Sequence, residues 1–180
     1  MDPLMLERLR IREVVENWAL WRDAGDWERF RTVWHKDGRM MATWFQGSAQ
    51  AFIEASREGW SHGVSILHFL GGSTIDVAGD RAIAQTKMTI SQRADVDGVR
   101  CDVVCTGRFY DFFERRRNDE GNDRWAIVLR QPIYEKDRLD PLDPARAGPR
   151  RPRPRPTGGP LAQRGVPPCP DGSANGPSAR

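Results

Sequence analysis

A single histidine in an apolar stretch is the residue of this chain whose type and surroundings best suit chemistry. His68 lies within the apolar run 64–70, and two glycines follow that run directly. Because side chains alternate between the two faces of a strand, His68 shares a face with Ile66 and Leu70, and this face should be buried or line a pocket. An imidazole exchanges a proton near neutral pH, so His68 is either a general base in a pocket or a core histidine satisfied by a partner.

Asp23 is a carboxylate whose position calls for a partner. It lies at the predicted end of the first helix, where a negative charge is unfavourable against the helix dipole and requires a partner. The alternative is an aspartate in a solvated loop. Asp26 is better suited to cap the start of a second helix.

Further polar side chains interrupt the apolar strands. Tyr110 and Asp111 are adjacent, so they point to opposite faces and only one of them can enter a pocket. Tyr110 could polarise a substrate carbonyl, or it could be a core tyrosine whose hydroxyl reaches the surface. Arg130 could pair with Asp23 or Asp111, or it could bind an anionic group of a substrate. Three apolar residues are candidates for the pocket wall or for the plain core: Trp44, Met88 and Ile90.

The elements that must position these residues are helices followed by strands. Apolar residues at helical spacing predict three helices, over residues 3–22, 27–34 and 49–59. Apolar runs bounded by turn residues predict six strands, over residues 39–45, 64–70, 73–77, 82–94, 101–116 and 124–134. Glycine-containing turns, beginning with Gly71-Gly72, separate the later strands. This order predicts an α+β fold with an antiparallel sheet.

The composition divides the chain near residue 144. All Trp, Phe and Tyr residues lie before position 135, while 9 of the 13 prolines lie in residues 145–180. Residues 145–180 carry a net charge of +6 and residues 1–144 carry −3, so the basic character does not indicate a nucleic-acid-binding domain. We predict one domain over residues 1–144 and a disordered tail rich in proline, arginine and glycine over residues 145–180.

Several classes of site are missing from the sequence. The three cysteines and three histidines show neither a disulfide framework nor metal-ligand spacing, and His35 and His62 are expected at the surface. No phosphate-binding glycine loop, nucleophile elbow or dinucleotide fingerprint occurs, so we expect no cofactor and no metal. Charges run through the first 18 residues, which therefore resemble neither a signal peptide nor a membrane span, and we expect a cytoplasmic protein.

Several motifs together resemble the SnoaL-like group of the nuclear transport factor 2-like superfamily. Residues 18–27, with the sequence WALWRDAGDW, and the later Asp37-Gly38 are similar to the opening of that group. Residues 107–116 and 124–127 are similar to its final hairpin. The resemblance covers most of the predicted domain. It implies a cone-shaped α+β barrel in which three N-terminal helices pack on a strongly curved antiparallel sheet around a pocket, and a homodimer formed through the outer sheet face.

Within that superfamily, residues 22–27 and 68–72 resemble the scytalone dehydratases. Asp23 and His68 match the aspartate and histidine that act there in an acid-base elimination on a cyclic ketol. Four positions differ from the pattern. Arg22 and Ala42 stand where the dehydratases carry two tyrosines, Ser91 where they carry a second histidine, and Phe109 or Tyr110 where they carry a pocket asparagine. The resemblance therefore implies a generic Asp–His pocket rather than the specific dehydration.

Three functions are open at this point. The first is a cofactor-independent lyase or isomerase acting on a small, hydrophobic, oxygenated ring or polyketide-like substrate. His68 would move a proton next to a carbonyl, Asp23 would orient the imidazole, and Tyr110 would stabilise the developing oxyanion. Five residues are predicted to bind that substrate: Arg22, Trp44, Met88, Ile90 and Arg130. The second function is a non-catalytic module that binds a hydrophobic ligand or dimerises, and the third is an accessory subunit of a ring-hydroxylating oxygenase.

Overall fold

Three helices and six strands build the part of the chain that this computed structural model describes, residues 3–117 and 123–143. The helices are α1 (Pro3–Ala24), α2 (Trp27–Thr32) and α3 (Ala49–Ser61). The strands are β1 (Trp34–Met41), β2 (Gln46–Ser48), β3 (Ile66–Ala78), β4 (Arg81–Val96), β5 (Val99–Arg117) and β6 (Asp123–Pro141). The predicted boundary at residue 144 and the predicted tail over residues 145–180 lie outside the described residues.

The six strands form one sheet in the order β2-β1-β6-β5-β4-β3. Neighbours from β3 to β6 pair antiparallel, and so do β1 and β2. β1 and β6 run parallel, with Met40 opposite Arg130, because no hairpin joins them and a long connection permits parallel pairing. The predicted α+β fold is confirmed. The sheet is mixed rather than wholly antiparallel, and its described edges, β2 and β3, do not pair with each other to close a barrel.

Gly71 and Gly72 form a β-bulge inside β3 instead of the predicted turn. The pairing register with β4 shifts between Leu70 and Ser73, so that the two glycines oppose the single residue Lys87. A Gly-Gly pair in a strand-like sequence is typical of a turn and of a bulge alike, and only the pairing with β4 separates the two. The predicted strands 64–70 and 73–77 are therefore one continuous strand.

α1 ends in a glycine motif that places Asp23 in its last turn. Gly25 has a φ of +70°, and its N–H donates to the Arg22 carbonyl at 3.2 Å. The Asp26 N–H donates to the Trp21 carbonyl at 2.9 Å. These two bonds around a left-handed glycine are the Schellman motif of helix ends. The Asp26 side chain then caps α2 by accepting a backbone N–H of its first turn, as the sequence predicts.

The core lies between the helices and one face of the sheet. α1 packs against β3 and β6, while α3 packs against β1. Every second residue of β4 from Ala82 to Gln92 is buried, and the same alternation holds in β5 from Cys101 to Phe113. Trp18 is buried in this core, as the predicted fold requires. This alternation determines which polar side chains of β4 and β5 point toward the helices.

His35 contradicts the expectation that it lies at the surface. α2 ends two residues earlier than predicted, and His35 follows at the start of β1, where it is 8 % exposed. Its Nδ1 accepts the backbone N–H of Asp37 at 3.1 Å, so the ring fixes the local turn of the chain. Burial and the positive charge of Arg116 lower the pKa of His35. His62 is exposed, as predicted.

Two cysteines lie on the buried face of β5. Cys101 is a free thiol whose pKa is raised by burial. Cys105 is 6 % exposed on the same face. None of the described helices is long and apolar enough to cross a membrane.

Candidate active site

Asp23 and His68 make a two-point contact between the end of α1 and β3. His68 Nδ1 lies 2.6 Å from Asp23 Oδ1, and the His68 backbone N–H donates to Asp23 Oδ2 at 2.6 Å. One residue therefore engages both oxygens of the carboxylate. Because a carboxylate only accepts hydrogen bonds, Nδ1 is the donor of this contact, and Nε2 is the other ring nitrogen.

The contact follows from the positions of the two residues in their elements. Asp23 lies where the unpaired carbonyls of the last helical turn repel a negative charge, so it gains from an outside donor. β3 is an edge strand, and one side of it has no strand partner among the described residues. The backbone N–H of His68 lies on that side and donates a hydrogen bond to the Asp23 carboxylate. The carboxylate in turn gives the edge of the sheet a partner.

The imidazole is enclosed by aromatic rings. The His68 side chain is 2 % exposed and the Asp23 side chain 14 %. The Trp18 ring stands edge-on to the imidazole with 5.2 Å between centroids, and the Phe109 ring lies at 6.1 Å. The Asp23 contact engages Nδ1, so Nε2 is the nitrogen that could take a proton from a bound molecule.

Asp111 and Arg130 form a second buried pair on the same face of the sheet. Nε and Nη2 of Arg130 donate to the two oxygens of Asp111, each at 2.7 Å, and both side chains are 0 % exposed. Burial raises the pKa of the Asp111 carboxyl, and the charge of Arg130 with its hydrogen bonds acts in the opposite direction. The sequence left Asp23 and Asp111 open as partners of Arg130. The structure pairs it with Asp111, and Asp23 stays with His68.

Two aromatic residues connect these pairs. The guanidinium carbon of Arg130 lies 4.1 Å from the Trp18 ring centroid and 4.0 Å from that of Phe109. Both rings also contact His68. Two polar atoms here, Trp18 Nε1 and Arg130 Nη1, are buried and have no hydrogen-bond partner among the described residues. A base, a cation and two unpaired donors therefore share one aromatic cluster.

Tyr110 faces away from this cluster. Its neighbours along β5, Phe109 and Asp111, are buried on the interior face, and the Tyr110 ring packs at 5.3 Å on Phe112 on the outer face. Adjacent strand residues point to opposite sides of a sheet, so the predicted role of Tyr110 beside His68 does not fit its position. The interior polar residue of that predicted pair is Asp111.

The residues predicted to bind substrate take different places. Met88 and Ile90 are buried on the interior face, and Ile90 is the cross-strand neighbour of His68. Arg22 is buried beside Asp23 in the last turn of α1. Trp44 is partly buried against a phenylalanine ring of α3. Of the five predicted substrate-binding residues, two lie next to the imidazole or its aromatic neighbours. Ile90 pairs with His68 across the two strands, and Arg130 contacts the Trp18 and Phe109 rings that surround His68.

Sequence reasoning missed two interior groups. Gln92 is buried two residues beyond Ile90 on the same face of β4, and its Oε1 has no hydrogen-bond partner among the described residues. The period-2 pattern of β4 could have placed Gln92 there, since it shares the parity of Ile90. The helical spacing of the apolar residues of α1 places Trp18 in the core and gives it no further role. Its contacts with both polar pairs depend on side-chain directions that the sequence pattern does not give.

The described residues contain no group of three or more His, Cys, Asp or Glu side chains placed to hold a metal ion. Two open grooves of about 490 Å³ and 410 Å³ lie along the sheet. The larger is mainly apolar and runs beside the β3–β4 turn, where Phe112 lines it. Neither groove is lined by Asp23 or His68. The chemically suited residues are thus in the aromatic interior, not in these grooves.

Similar sequences occur in fungi. The chain is 38 % identical over 148 residues to an uncharacterised protein of Emericella nidulans, and this match covers 81 % of the chain and 62 % of that protein. It is 39 % identical over 148 residues to Pea pathogenicity protein 2 of Fusarium vanettenii, with 81 % and 61 % covered. The chain thus spans less than two thirds of the length of these relatives.

Solved structures share the fold at low sequence identity. A putative scytalone dehydratase from Novosphingobium aromaticivorans has a TM-score of 0.63 at 16 % identity, with 78 % of this chain and 96 % of that chain covered. A LinA-type3 hexachlorocyclohexane dehydrochlorinase from Novosphingobium barchaimii has a TM-score of 0.62 at 13 % identity, with 75 % and 90 % covered. These similarities show the fold alone. The model of the SnoaL-like domain family matches residues 4–131, and the chain belongs to that family.

Proposed function

We propose that this chain is a cofactor-independent lyase or isomerase that moves a proton on a small, hydrophobic, oxygenated ring. The observation that carries the proposal is the 2.6 Å contact between Asp23 and His68 in an aromatic interior. A carboxylate at Nδ1 orients the ring and stabilises the imidazolium that forms when Nε2 takes a proton. Two structural neighbours are named as a dehydrochlorinase and a putative dehydratase, and both names denote eliminations, which supports the reaction class.

The reaction we propose is elimination of water from a cyclic β-hydroxy ketone. His68 Nε2 removes a proton from the carbon between the carbonyl and the carbinol, and the C–H electron pair forms a C–C double bond while the carbonyl oxygen becomes an enolate oxygen. The enolate then re-forms the carbonyl, the new double bond forms toward the carbinol carbon, and the C–OH bond breaks. The imidazolium returns its proton to the departing oxygen. The products are an enone and water, and the enzyme returns to its starting state.

Interior residues around His68 would bind the ring. Ile90 lies directly opposite His68 across the β3–β4 pair, and Met88 is two residues along the same face. They would provide the apolar contact, while Arg130 provides positive charge near the carbonyl. Since the imidazole is 2 % exposed, the substrate must displace side chains to reach Nε2. A structure of the protein soaked with a cyclic ketone would locate that path.

The test uses proton exchange, which does not require the natural substrate. The protein is incubated in D₂O with a panel of cyclic ketones and β-hydroxy ketones, while NMR follows loss of the α-proton and absorbance follows the enone. We expect His68→Gln and Asp23→Asn each to lower the rate by about 10²- to 10⁴-fold. The double variant should lose little more than either single variant, because the two residues act as a unit.

His62→Gln is the matched control for this test. His62 is exposed at the end of α3, so its substitution should leave the rate unchanged. An unchanged rate in His68→Gln would refute the assignment of the base. Absence of exchange with every ketone of the panel would refute the proposed reaction class.

A second candidate is binding of a hydrophobic molecule without turnover. The enclosure of His68 by Trp18 and Phe109 favours this candidate, because a buried histidine with a satisfied Nδ1 also suits a stable core. Thermal denaturation with the same ketones separates the two functions. A rise in melting temperature without any proton exchange would support the binding module.

We also propose that the protein is a homodimer through the outer face of the sheet. Leu67 and Phe69 of β3 point outward and are 51 % and 64 % exposed, and Phe112 lies on the same face. Such a group of apolar residues on a sheet surface is typical of a contact with another subunit. Light scattering should give the dimer mass, and Phe69→Asp should give the monomer. Leu20→Asp on the exposed side of α1 is the control and should remain a dimer.

A further inference from the structure

We propose that Trp18 Nε1 and Arg130 Nη1 together bind the oxygen of a conjugated oxyanion, such as an enolate or a phenolate, on the ring that His68 deprotonates. This inference rests on the proposed function and narrows its substrate class. The substrate would be a planar or nearly planar ring whose negative charge, formed on loss of the proton, is carried by oxygen. The two donors would be the electrophilic half of the site, and Asp23 with His68 the basic half.

Both donors are buried, and the described part of the chain offers neither of them a hydrogen-bond partner. Trp18 is 1 % exposed and Arg130 is 0 % exposed. Neither Trp18 Nε1 nor Arg130 Nη1 has a hydrogen-bond partner among the described residues. Nearly all buried N–H groups in proteins are paired, because an unpaired one loses its hydration without compensation. Two such groups on side chains in direct contact therefore indicate a place for an acceptor.

The guanidinium is held firmly in the orientation that the site requires. Asp111 engages Nε and Nη2, so Nη1 is the nitrogen that remains for a ligand. The Trp18 and Phe109 rings lie at 4.1 Å and 4.0 Å from the guanidinium carbon, which restricts rotation of the group. Donors that are fixed before the reaction stabilise a developing charge best, because no reorganisation is needed when it forms.

The base and the cation are within reach of one molecule. The His68 ring centroid is 5.2 Å from Trp18, and the guanidinium carbon of Arg130 is 4.1 Å from the same ring, so their separation is at most the sum of these distances. A ring-sized ligand in contact with Trp18 can span that separation. Proton transfer to Nε2 would then create an imidazolium beside Asp23 and an oxyanion beside Arg130, each next to the opposite charge.

The chemistry of the donors restricts the bound atom. Indole and guanidinium nitrogens donate and do not accept, so the atom must be an acceptor. The positive charge of Arg130 strengthens hydrogen bonds to an anionic acceptor over those to a neutral one. The aromatic rings of Trp18 and Phe109 favour a flat ring over a branched aliphatic molecule. A halide ion could satisfy the same donors, and the experiment must separate it from oxygen.

The experiment compares binding of 4-nitrophenolate and 4-nitroanisole to the full chain. The two probes share a ring, but the ether has no charged oxygen. We expect the phenolate to bind the wild type at least about tenfold more tightly, and Trp18→Phe to remove most of that preference. Trp125→Phe is the matched control, since its indole N–H is already bonded to Glu7, and it should keep the preference. In the wild type, the indole N–H resonance of Trp18 should move downfield on addition of the phenolate.

The result also separates this proposal from the proposed function. Asp23→Asn and His68→Gln should keep the phenolate preference while they lose proton exchange. Equal affinity for the two probes, binding of neither, or an unmoved Trp18 resonance overturns the oxyanion site. Displacement of the phenolate by millimolar chloride would also overturn it, in favour of a halide site. Because the resonance is measured on the wild type, poor folding of Trp18→Phe would not hide the answer.

Discussion

Asp111→Ala tests whether the interior tolerates Arg130 without its partner. The substitution removes two acceptors at 2.7 Å from a guanidinium that is 0 % exposed and cannot regain water without opening the core. Removing one partner of a buried ion pair costs about 3–5 kcal/mol, because it leaves an uncompensated buried charge. The rings of Trp18 and Phe109 remain against the guanidinium, and their cation–π attraction, about 2 kcal/mol or more for a desolvated cation, is present before and after the substitution. We therefore expect a loss in the range of about 3–5 kcal/mol.

The double variant Asp111→Leu/Arg130→Met isolates the cause of that loss. It removes the cation together with the carboxylate and keeps apolar volume between the rings. Replacement of a whole buried ion pair by apolar residues is often neutral or stabilising by about 1–4 kcal/mol. We expect the double variant to be more stable than Asp111→Ala by at least about 2 kcal/mol on the same grounds.

Urea unfolding followed by tryptophan fluorescence measures these free energies. Asp80→Ala is the control, because the Asp80–Arg115 pair lies at the surface with the aspartate 71 % exposed, and its loss should cost less than about 1 kcal/mol. The reasoning is refuted if Asp111→Ala costs no more than this control. It is also refuted if the double variant is less stable than Asp111→Ala, because the deficit would then come from packing rather than charge.

Three further predictions concern single residues, and urea unfolding checks each. Gly107→Ala should destabilise by about 1–3 kcal/mol or prevent folding, since its Cβ would lie 1.9 Å from the Ile133 carbonyl oxygen in the neighbouring strand. Gly25→Ala should cost about 1–2 kcal/mol, because φ is +70° and the new Cβ would lie 2.9 Å from the Trp60 ring. Burial lowers the pKa of His35 below 6.5, so the unfolded chain binds more protons. Its contribution to stability should be complete above pH 6.5 and be lost as the pH falls through the folded pKa, and His35→Gln should flatten that dependence.

The places of Asp23 and His68 could be predicted from local patterns, while their pairing followed from the resemblance to the scytalone dehydratases. A glycine break ends α1 directly after Asp23, and period-2 alternation puts His68 on the buried face with Ile66. The unfavourable helix-end charge predicts that the carboxylate has an outside donor. These arguments need only the conformation of one element at a time, which is the information that sequence periodicity carries.

The Asp111–Arg130 pair could not be predicted in the same way. Alternation states that Tyr110 and Asp111 face opposite sides, but it does not state which one faces the helices. That choice depends on the pairing of β5 with β6, where Asp111 lies opposite Arg130. The bulge at Gly71 has the same origin, since a local sequence fits a turn and a bulge equally and only the pairing with β4 decides. Tertiary register is the information that was missing in both cases.

Three hydrogen bonds attach α1 to the edge strand β3. Together they hold the His68 imidazole in one orientation. Arg8 donates to the Ile75 carbonyl at 3.1 Å, Arg12 donates to the Ser73 hydroxyl at 2.6 Å, and Asp23 accepts the His68 N–H. These bonds satisfy polar groups at an edge that would otherwise be open to another strand. Because one carboxylate binds both the backbone and the ring of His68, a shift of β3 carries the imidazole and its partner contact together. The orientation of Nε2 is therefore a property of the α1–β3 contact rather than of a free side-chain rotamer, and changes at this helix–strand contact should affect the base as directly as changes in the aromatic cluster.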